Sequence, residues 1–178
     1  MIFGPSASVK NGFLDTDFCE TYSLSFAPLK GMTAVQSAPF EEHERWMGEA
    51  LRAAREAQTR DEVPIGSCIV AAGEMIAWAG NRTRTDCDPT AHAEIVALRE
   101  AAAKIGNYRL ANVAVYSTIE PCAMCAGALI QARVPLLVYG ATDEKAGAVE
   151  SHFQICSAAP LNHRVEVIKG VLEAECRE

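Results

Sequence analysis

No apolar run in the sequence approaches the roughly 18 residues that a membrane-spanning helix needs. The N-terminus also lacks the basic segment, apolar stretch and small-residue cleavage site of an export signal. These absences predict a cytoplasmic protein with no membrane partner. An excess of positive charge is missing too, because the formal net charge is -7, so a nucleic acid would have to bind a local basic patch.

The seven cysteines are odd in number and include a Cys-x-x-Cys pair, which favours metal or redox chemistry over a disulfide framework. At 178 residues, 49% of them hydrophobic, the chain is long enough for one domain with a substantial core. Residues 1–40 show no sustained periodicity and are predicted to form a poorly ordered N-terminal extension. Residues 41–178 are predicted to form the domain.

Apolar periodicity predicts alternating helices and strands along this domain. A hairpin is expected at Gly73-Glu74, and His43 is expected on the solvent side of the first helix. The predicted helices are 41–59, 91–105, 122–132 and a last one from about 171, and the predicted strands are 65–72, 75–79, 113–117, 136–139 and 164–168. Two nearly apolar strands separated by a helix are typical of parallel strands covered on both faces. We therefore predict a three-layer α/β/α sandwich around a mixed, mostly parallel five-stranded sheet.

Two short motifs carry the chemistry: His92-Ala93-Glu94, and Pro121 followed by Cys122 and Cys125. One imidazole and two thiols suit a tetrahedral zinc ion with its fourth position open to water. Pro121 is predicted at the first position of a helix, which places both thiols on one helical face. Glu94 is poorly placed as a second ligand from its helix and better placed beside the water.

Simpler interpretations exist for each motif. A Cys-x-x-Cys pair alone is typical of a structural zinc half-site or a redox pair. Cys87 lies five residues before His92 and is the candidate fourth ligand of a closed, structural zinc.

Taken together, the two motifs resemble the signature of the zinc-dependent cytidine deaminase superfamily. Further segments narrow the resemblance to its bacterial tRNA adenosine deaminases, from about residue 43 to residue 176. These segments are Glu62-Val63-Pro64-Ile65-Gly66, Asn81, Asp88-Pro89-Thr90-Ala91-His92-Ala93-Glu94, Asn107-Tyr108-Arg109-Leu110, Glu120-Pro121-Cys122-Ala123-Met124-Cys125-Ala126-Gly127-Ala128, Val138-Tyr139-Gly140-Ala141 with Asp143, and Asn162-His163-Arg164-Val165-Glu166.

The resemblance implies a cytidine deaminase-like fold and hydrolytic deamination of adenosine to inosine at the wobble position of a tRNA anticodon. One zinc ion per chain would be held by His92, Cys122 and Cys125 and would activate water, while Glu94 shuttles the protons. The family pattern further implies a homodimer, formed around residues 121–138, that binds a tRNA anticodon stem-loop.

The remaining site residues also follow from the resemblance. Asn81 is expected to hydrogen-bond the base or ribose, and the backbone N–H groups near Ala93 are expected to orient the reacting oxygen. Val63, Pro64 and Pro121 are expected to line the pocket. Arg82, Arg84, Lys145 and Arg164 lie in or beside loops and are the candidates for RNA phosphate contacts.

Two other functions stay open at this point. One is a deaminase of a free base or nucleotide, such as guanine or deoxycytidylate, which the acidic composition and short C-terminus favour. The other is a non-catalytic RNA-binding partner subunit, which Glu94 disfavours because such a subunit needs no proton shuttle.

Glu150 departs from the small residue that is common in the family and puts a like charge near the expected path of a phosphate.

Overall fold

The computed structural model describes residues 39–178, so the predicted extension lies outside the described residues except for its last two positions. The helices are α1 (Phe40–Thr59), α2 (Ala93–Ile105), α3 (Ala123–Gln131) and α4 (Glu173–Arg177), with a 3-10 turn at Ile155–Ser157. The strands are β1 (Gly66–Ala71), β2 (Glu74–Gly80), β3 (Val113–Ile119), β4 (Leu136–Ala141) and β5 (Glu166–Lys169).

The five strands form one mixed sheet in the order β2-β1-β3-β4-β5. Strand β1 pairs antiparallel with both β2 and β3, whereas β3, β4 and β5 pair in parallel. Four strands therefore point in one direction and only β1 is reversed, which confirms the mixed, mostly parallel sheet.

The β1–β2 hairpin turns one residue earlier than predicted. Ala72 and Gly73 have positive φ angles of 51° and 78°, and Glu74 already belongs to β2. Two successive residues with positive φ match the twist of the flanking strands, and glycine reaches this conformation without strain.

Helices cover both faces of the sheet, which confirms the three layers. On one face, Trp46, Met47 and Ala50 of α1 pack with Tyr116 of β3, and Cys176 of α4 packs against the same cluster. On the other face, α2, α3 and the 3-10 turn pack on a larger cluster of buried aliphatic side chains. Along β1, β3 and β4, successive residues alternate between the two cores, as the pleat requires.

Helix α1 lies unusually close to the sheet at two glycines. A Cβ atom on Gly66 would be 2.0 Å from the Ala50 carbonyl oxygen, and one on Gly80 would be 2.7 Å from that of Ala53. The absence of a side chain at both positions lets the helix backbone contact the ends of β1 and β2 directly.

The expectation that His43 faces solvent is wrong. Its side chain is buried, and its Nδ1 atom lies 3.0 Å from the Tyr116 hydroxyl group. Helix α1 covers β1, β2 and β3 together, so its buried face is wider than the apolar periodicity indicates. None of the described helices is long and apolar enough to cross a bilayer.

Candidate active site and metal centre

Two helix N-termini meet at the site. His92 is the N-cap residue of α2, and Cys122 is the N-cap residue of α3. Pro121 thus precedes the cap, and its predicted place at the first helical position is wrong. The reason is that the chain at Cys122 is still extended and pairs with Gly147, so α3 begins only at Ala123. Cys125 nevertheless follows within the first turn, as the spacing predicted.

The three predicted metal ligands are brought together. Nδ1 of His92 lies 3.7 Å from Sγ of Cys122 and 3.6 Å from Sγ of Cys125, and the three ligand atoms all lie within 4.8 Å of one another. One imidazole and two thiols at this spacing fit zinc with a position left over for water. Cys87 is exposed, its thiol contacts the Arg84 carbonyl oxygen at 3.6 Å, and it is not part of the cluster.

The helix geometry prepares Cys122 as a ligand. A hydrogen bond from the Cys125 thiol and others from the backbone N–H groups of Cys125 and Met124 lower the pKa of Cys122 to about 5. This shift favours the thiolate of Cys122, the form that binds metal. The same contact with Cys122, together with burial, raises the pKa of Cys125. A metal ion is what allows the second thiol to ionise as well.

Glu94 lies beside the cluster in the first turn of α2, where only 2% of its surface is exposed. Its Oε2 atom is 3.4 Å from Sγ of Cys125, and its Oε1 atom accepts a hydrogen bond of 2.9 Å from the Ser117 hydroxyl group. Burial raises the pKa of this carboxyl group, although its own backbone N–H and Ser117 oppose the shift. A carboxylate with a raised pKa is suited to take and return a proton near neutral pH.

Asn81 stands at the end of β2, close to the start of α2. The N–H of Arg82 donates to the Ala91 carbonyl oxygen at 2.9 Å, which ties this strand end to the residue before His92. The Nδ2 group of Asn81 donates to Oε2 of Glu62 at 3.1 Å. Because a carboxylate only accepts, Nδ2 must face Glu62 and Oδ1 must point away from it.

Glu62 is a buried carboxylate that organises the loop after Asn81. Its Oε1 atom accepts the N–H groups of Arg84 and Thr85 at 2.9 and 2.7 Å. Burial alone would raise the pKa of Glu62, but hydrogen bonds led by Thr85 lower it. The next residues, Val63 and Pro64, are exposed at the loop that enters β1, Val63 with 49% of its surface.

Glu120 organises the loop of residues 142–152 on the other side of the ligands. Only 1% of its surface is exposed. Its carboxylate accepts hydrogen bonds from the backbone N–H groups of Asp143, Val149, Glu150 and Ser151. The N–H of Ala148 donates to the Pro121 carbonyl oxygen at 2.9 Å, which fixes this loop beside Cys122.

Glu150 contacts other partners than expected. Its carboxylate pairs with Lys169 and accepts a hydrogen bond of 3.3 Å from the Tyr139 hydroxyl group. Its charge is therefore compensated within the fold.

The predicted phosphate-binding residues fall into two pairs. Arg82 and Arg84 form ion pairs with Asp86 at 3.0 Å and Asp61 at 2.8 Å. Lys145 and Arg164 are exposed, and within residues 39–178 neither side chain has an ion-pair partner. Both arginines thus stand in weak surface ion pairs, whereas the two exposed cations have no such pair within the described residues.

Comparisons with known proteins agree with this site. The family of MafB19-like deaminases matches residues 41–175. The tRNA-specific adenosine deaminase of Haemophilus influenzae is 45% identical over 136 residues, which cover 76% of this chain and 79% of that protein. The chain belongs to the tRNA-specific adenosine deaminase family.

Two solved structures place this family member among its neighbours. A structure from studies of A-to-I editing by tRNA:A34 deaminases at the wobble position of transfer RNA has a TM-score of 0.73 and 47% identity, covering 75% of this chain and 96% of that one. A guanine deaminase from Nitrosomonas europaea has a TM-score of 0.62 and 29% identity, covering 75% and 80%.

Three residues at the site, Ser117, Glu62 and Glu120, were not singled out from the sequence for a role of their own. Ser117 follows Val113 and Val115 on the same face of β3, so a polar residue in an otherwise apolar row was the available signal. Burying a hydroxyl group is costly unless it is hydrogen-bonded, which points to a partner in the layer above.

Proposed function

We propose that this protein hydrolyses the amine of adenosine to give inosine at the wobble position of a tRNA anticodon. The observation that carries the proposal is the buried Glu94 carboxylate beside the cluster of His92, Cys122 and Cys125, which within residues 39–178 offers three ligand atoms to a metal. The 47% identity to a tRNA:A34 deaminase supports this substrate over free guanine, since the guanine deaminase is only 29% identical.

The residues of the chain have distinct tasks in this reaction. A zinc ion bound by the three ligands would supply a water activated for attack at neutral pH. Glu94 would take one proton of the water through Oε2, the oxygen that faces the ligands, and deliver it to the ring nitrogen. A second proton, from the hydroxyl group that has added to the ring carbon, would pass through the same carboxylate to the amine, which leaves as ammonia. The backbone N–H group of Ala93, in the first turn of α2, orients the reacting oxygen.

The substrate-binding residues are proposed from their position around this centre. Asn81 offers its Oδ1 atom to a donor of the nucleoside, because its Nδ2 group is held by Glu62. Val63 and Pro64 are exposed apolar residues in the loop that enters β1, and Pro121 directly precedes Cys122. Lys145 and Arg164 are the better candidates for phosphate contacts, and Arg82 and Arg84 join them if their ion pairs open.

We further propose that the deaminase domain spans residues 41–178, acts in the cytoplasm and forms a homodimer. The support for the dimer is the outer side of α3, where Ala123 is exposed and Met124, Gly127 and Ala128 are half-buried. An apolar helix face of this kind favours association with a second copy. Light scattering of the purified protein should give twice the mass of one chain.

The deciding experiment uses an anticodon stem-loop with adenosine at the wobble position, in an ACG anticodon. The wild-type protein should produce inosine, and Glu94→Ala should abolish turnover while zinc stays near one per chain. Glu100→Ala is the matched control, because Glu100 is an exposed carboxylate on the same helix. Deamination of free guanine or deoxycytidylate with none of the stem-loop would overturn the proposal, and an inert wild-type protein that binds the RNA would point to the partner subunit.

A further inference from the structure

The catalytic carboxylate is held from the sheet by one hydroxyl group. Ser117 lies on β3, on the face that α2 and α3 cover, and none of its surface is exposed. Its hydroxyl group donates to Oε1 of Glu94 at 2.9 Å, across 23 positions of sequence. The two residues that precede it on this face of β3, Val113 and Val115, are aliphatic and buried in the core. A hydroxyl group at this depth needs a specific partner, and Glu94 is that partner.

We infer that Ser117 is a positioning residue that holds Glu94 Oε1 and thereby keeps Oε2 directed at the metal ligands. The inference rests on the proposed function, in which Glu94 moves the protons. Glu94 belongs to the first turn of its helix, where its own backbone N–H contacts the carboxylate, but its side chain still has three rotatable bonds. The bond at Oε1 and the 3.4 Å contact of Oε2 with Cys125 together leave one orientation of the carboxylate plane.

The role of this bond is orientation, since proton transfer requires the carboxylate within hydrogen-bond reach of both the water and the base. Loss of the bond would let the carboxylate turn away from the ligands without removing any ligand or any group that touches RNA. A displacement of about 1 Å at a reacting group can cost up to about 100-fold in rate, and one hydrogen bond corresponds to about tenfold. The turnover number should therefore fall while the binding of the stem-loop stays the same.

Ser67 provides a matched control. It pairs with Ser117 in the β1–β3 register, is equally buried, and donates its hydroxyl group to the Tyr116 carbonyl oxygen at 2.8 Å. Ser67→Ala therefore removes a buried serine hydroxyl group from the same face of the sheet without touching Glu94. Both alanine variants should show similar losses of melting temperature.

The test compares Ser117→Ala, Ser117→Thr and Ser67→Ala with the wild type on the stem-loop. We expect Ser117→Ala to lower kcat about tenfold with KM within about twofold and zinc near one per chain. Ser67→Ala should keep the wild-type kcat, and Ser117→Thr, which retains the hydroxyl group, should recover most of it. A Ser117→Ala variant with the kcat of the wild type, or a Ser67→Ala variant as slow as Ser117→Ala, would overturn the inference. A stably folded Ser117→Thr that is no faster than Ser117→Ala would overturn it too.

A second readout needs no substrate. Crystal structures of the zinc-loaded variants should show the Glu94 carboxylate turned away from Cys125 in Ser117→Ala and unmoved in Ser67→Ala. An unmoved carboxylate in Ser117→Ala refutes the positioning role even if the stem-loop proves to be the wrong substrate. Absence of inosine with the wild type, in contrast, refutes the proposed function and leaves this structural comparison intact.

Discussion

Replacing Glu120 with glutamine would test whether its buried carboxylate stabilises the loop of residues 142–152, which lies beside Cys122. Oε1 of Glu120 accepts the N–H groups of Val149, Glu150 and Ser151 at 3.0, 2.8 and 2.9 Å. Oε2 accepts the Asp143 N–H at 3.2 Å and the Ser151 hydroxyl group. Glutamine keeps one accepting oxygen and replaces the other by an NH₂ group, which faces donors it cannot satisfy.

The size of the effect follows from the hydrogen bonds. Burial alone would raise the pKa of Glu120, but the Ser151 hydroxyl group and the backbone N–H groups lower it from 4.5 to about 2. That shift corresponds to about 3 kcal/mol, and direct loss of bonds to a charged acceptor gives a similar figure. We therefore expect Glu120→Gln to lower the free energy of unfolding by about 2–4 kcal/mol near pH 7. Glu144→Gln, an exposed carboxylate in the same loop, should change it by less than about 0.5 kcal/mol.

The stabilisation by Glu120 should depend on pH in a definite direction. The folded pKa of Glu120 lies below the unfolded value, so its contribution is fully present above about pH 5 and disappears as the pH falls toward 2. Denaturant unfolding of the wild type and both variants at pH 7, 4 and 2 measures this, and release of metal at low pH cancels in the difference between proteins. The reasoning is refuted if Glu120→Gln is as stable as Glu144→Gln at pH 7, or if the gap to the wild type is unchanged at pH 2.

Four further outcomes are expected. Gly66→Ala should lower the free energy of unfolding by about 3 kcal/mol, because the added Cβ would lie 2.0 Å from the backbone of α1. A variant with the denaturation midpoint of the wild type would contradict this close contact. Cys87→Ser should keep its zinc, whereas chelation should lower the melting temperature of both proteins; loss of metal from Cys87→Ser would mean a closed site. Lys145→Glu should weaken stem-loop binding and reduce its salt dependence, and an unchanged salt slope would exclude a phosphate contact. Burial lowers the pKa of His43, so the unfolded chain takes up the proton first, and the free energy of unfolding should fall as the pH drops below about 6.5. His43→Gln should lose less stability over the same pH range, and an equal loss would exclude His43 as the cause.

The metal centre was predictable because its information is local. Two of the ligands lie three residues apart, and the third stands two residues from Glu94, the proposed proton shuttle, so residue type and spacing indicate the chemistry directly. The alternation of helices and strands likewise predicted the three layers. The placement of Pro121 failed because the bridge from Cys122 to Gly147, far along the chain, delays the start of α3.

The supporting carboxylates were not predictable in the same way. Glu62 and Glu120 accept hydrogen bonds from residues 19 to 31 positions away. Both lie in segments that resemble the family, but neither composition nor periodicity shows that their carboxylates are buried. His43 was misplaced for a related reason, since its partner Tyr116 is 73 positions distant. Periodicity does not show which polar residues find a buried partner from a distant part of the chain.

The topology explains why ligands 30 residues apart meet at one point. Strands β2 and β3 point in the same direction although β1 lies between them, and each is followed by a helix on the same face of the sheet. Helices that follow parallel strands begin at the same edge, so α2 and α3 present their N-termini side by side. Both termini carry partial positive charge, which favours thiolate at Cys122. The His92 side chain makes no capping hydrogen bond with its helix, a loss worth about 1 kcal/mol relative to a serine or aspartate cap. Binding of a metal at this cap therefore contributes to folding as well as to catalysis, and the position that weakens the helix is the one that serves the chemistry.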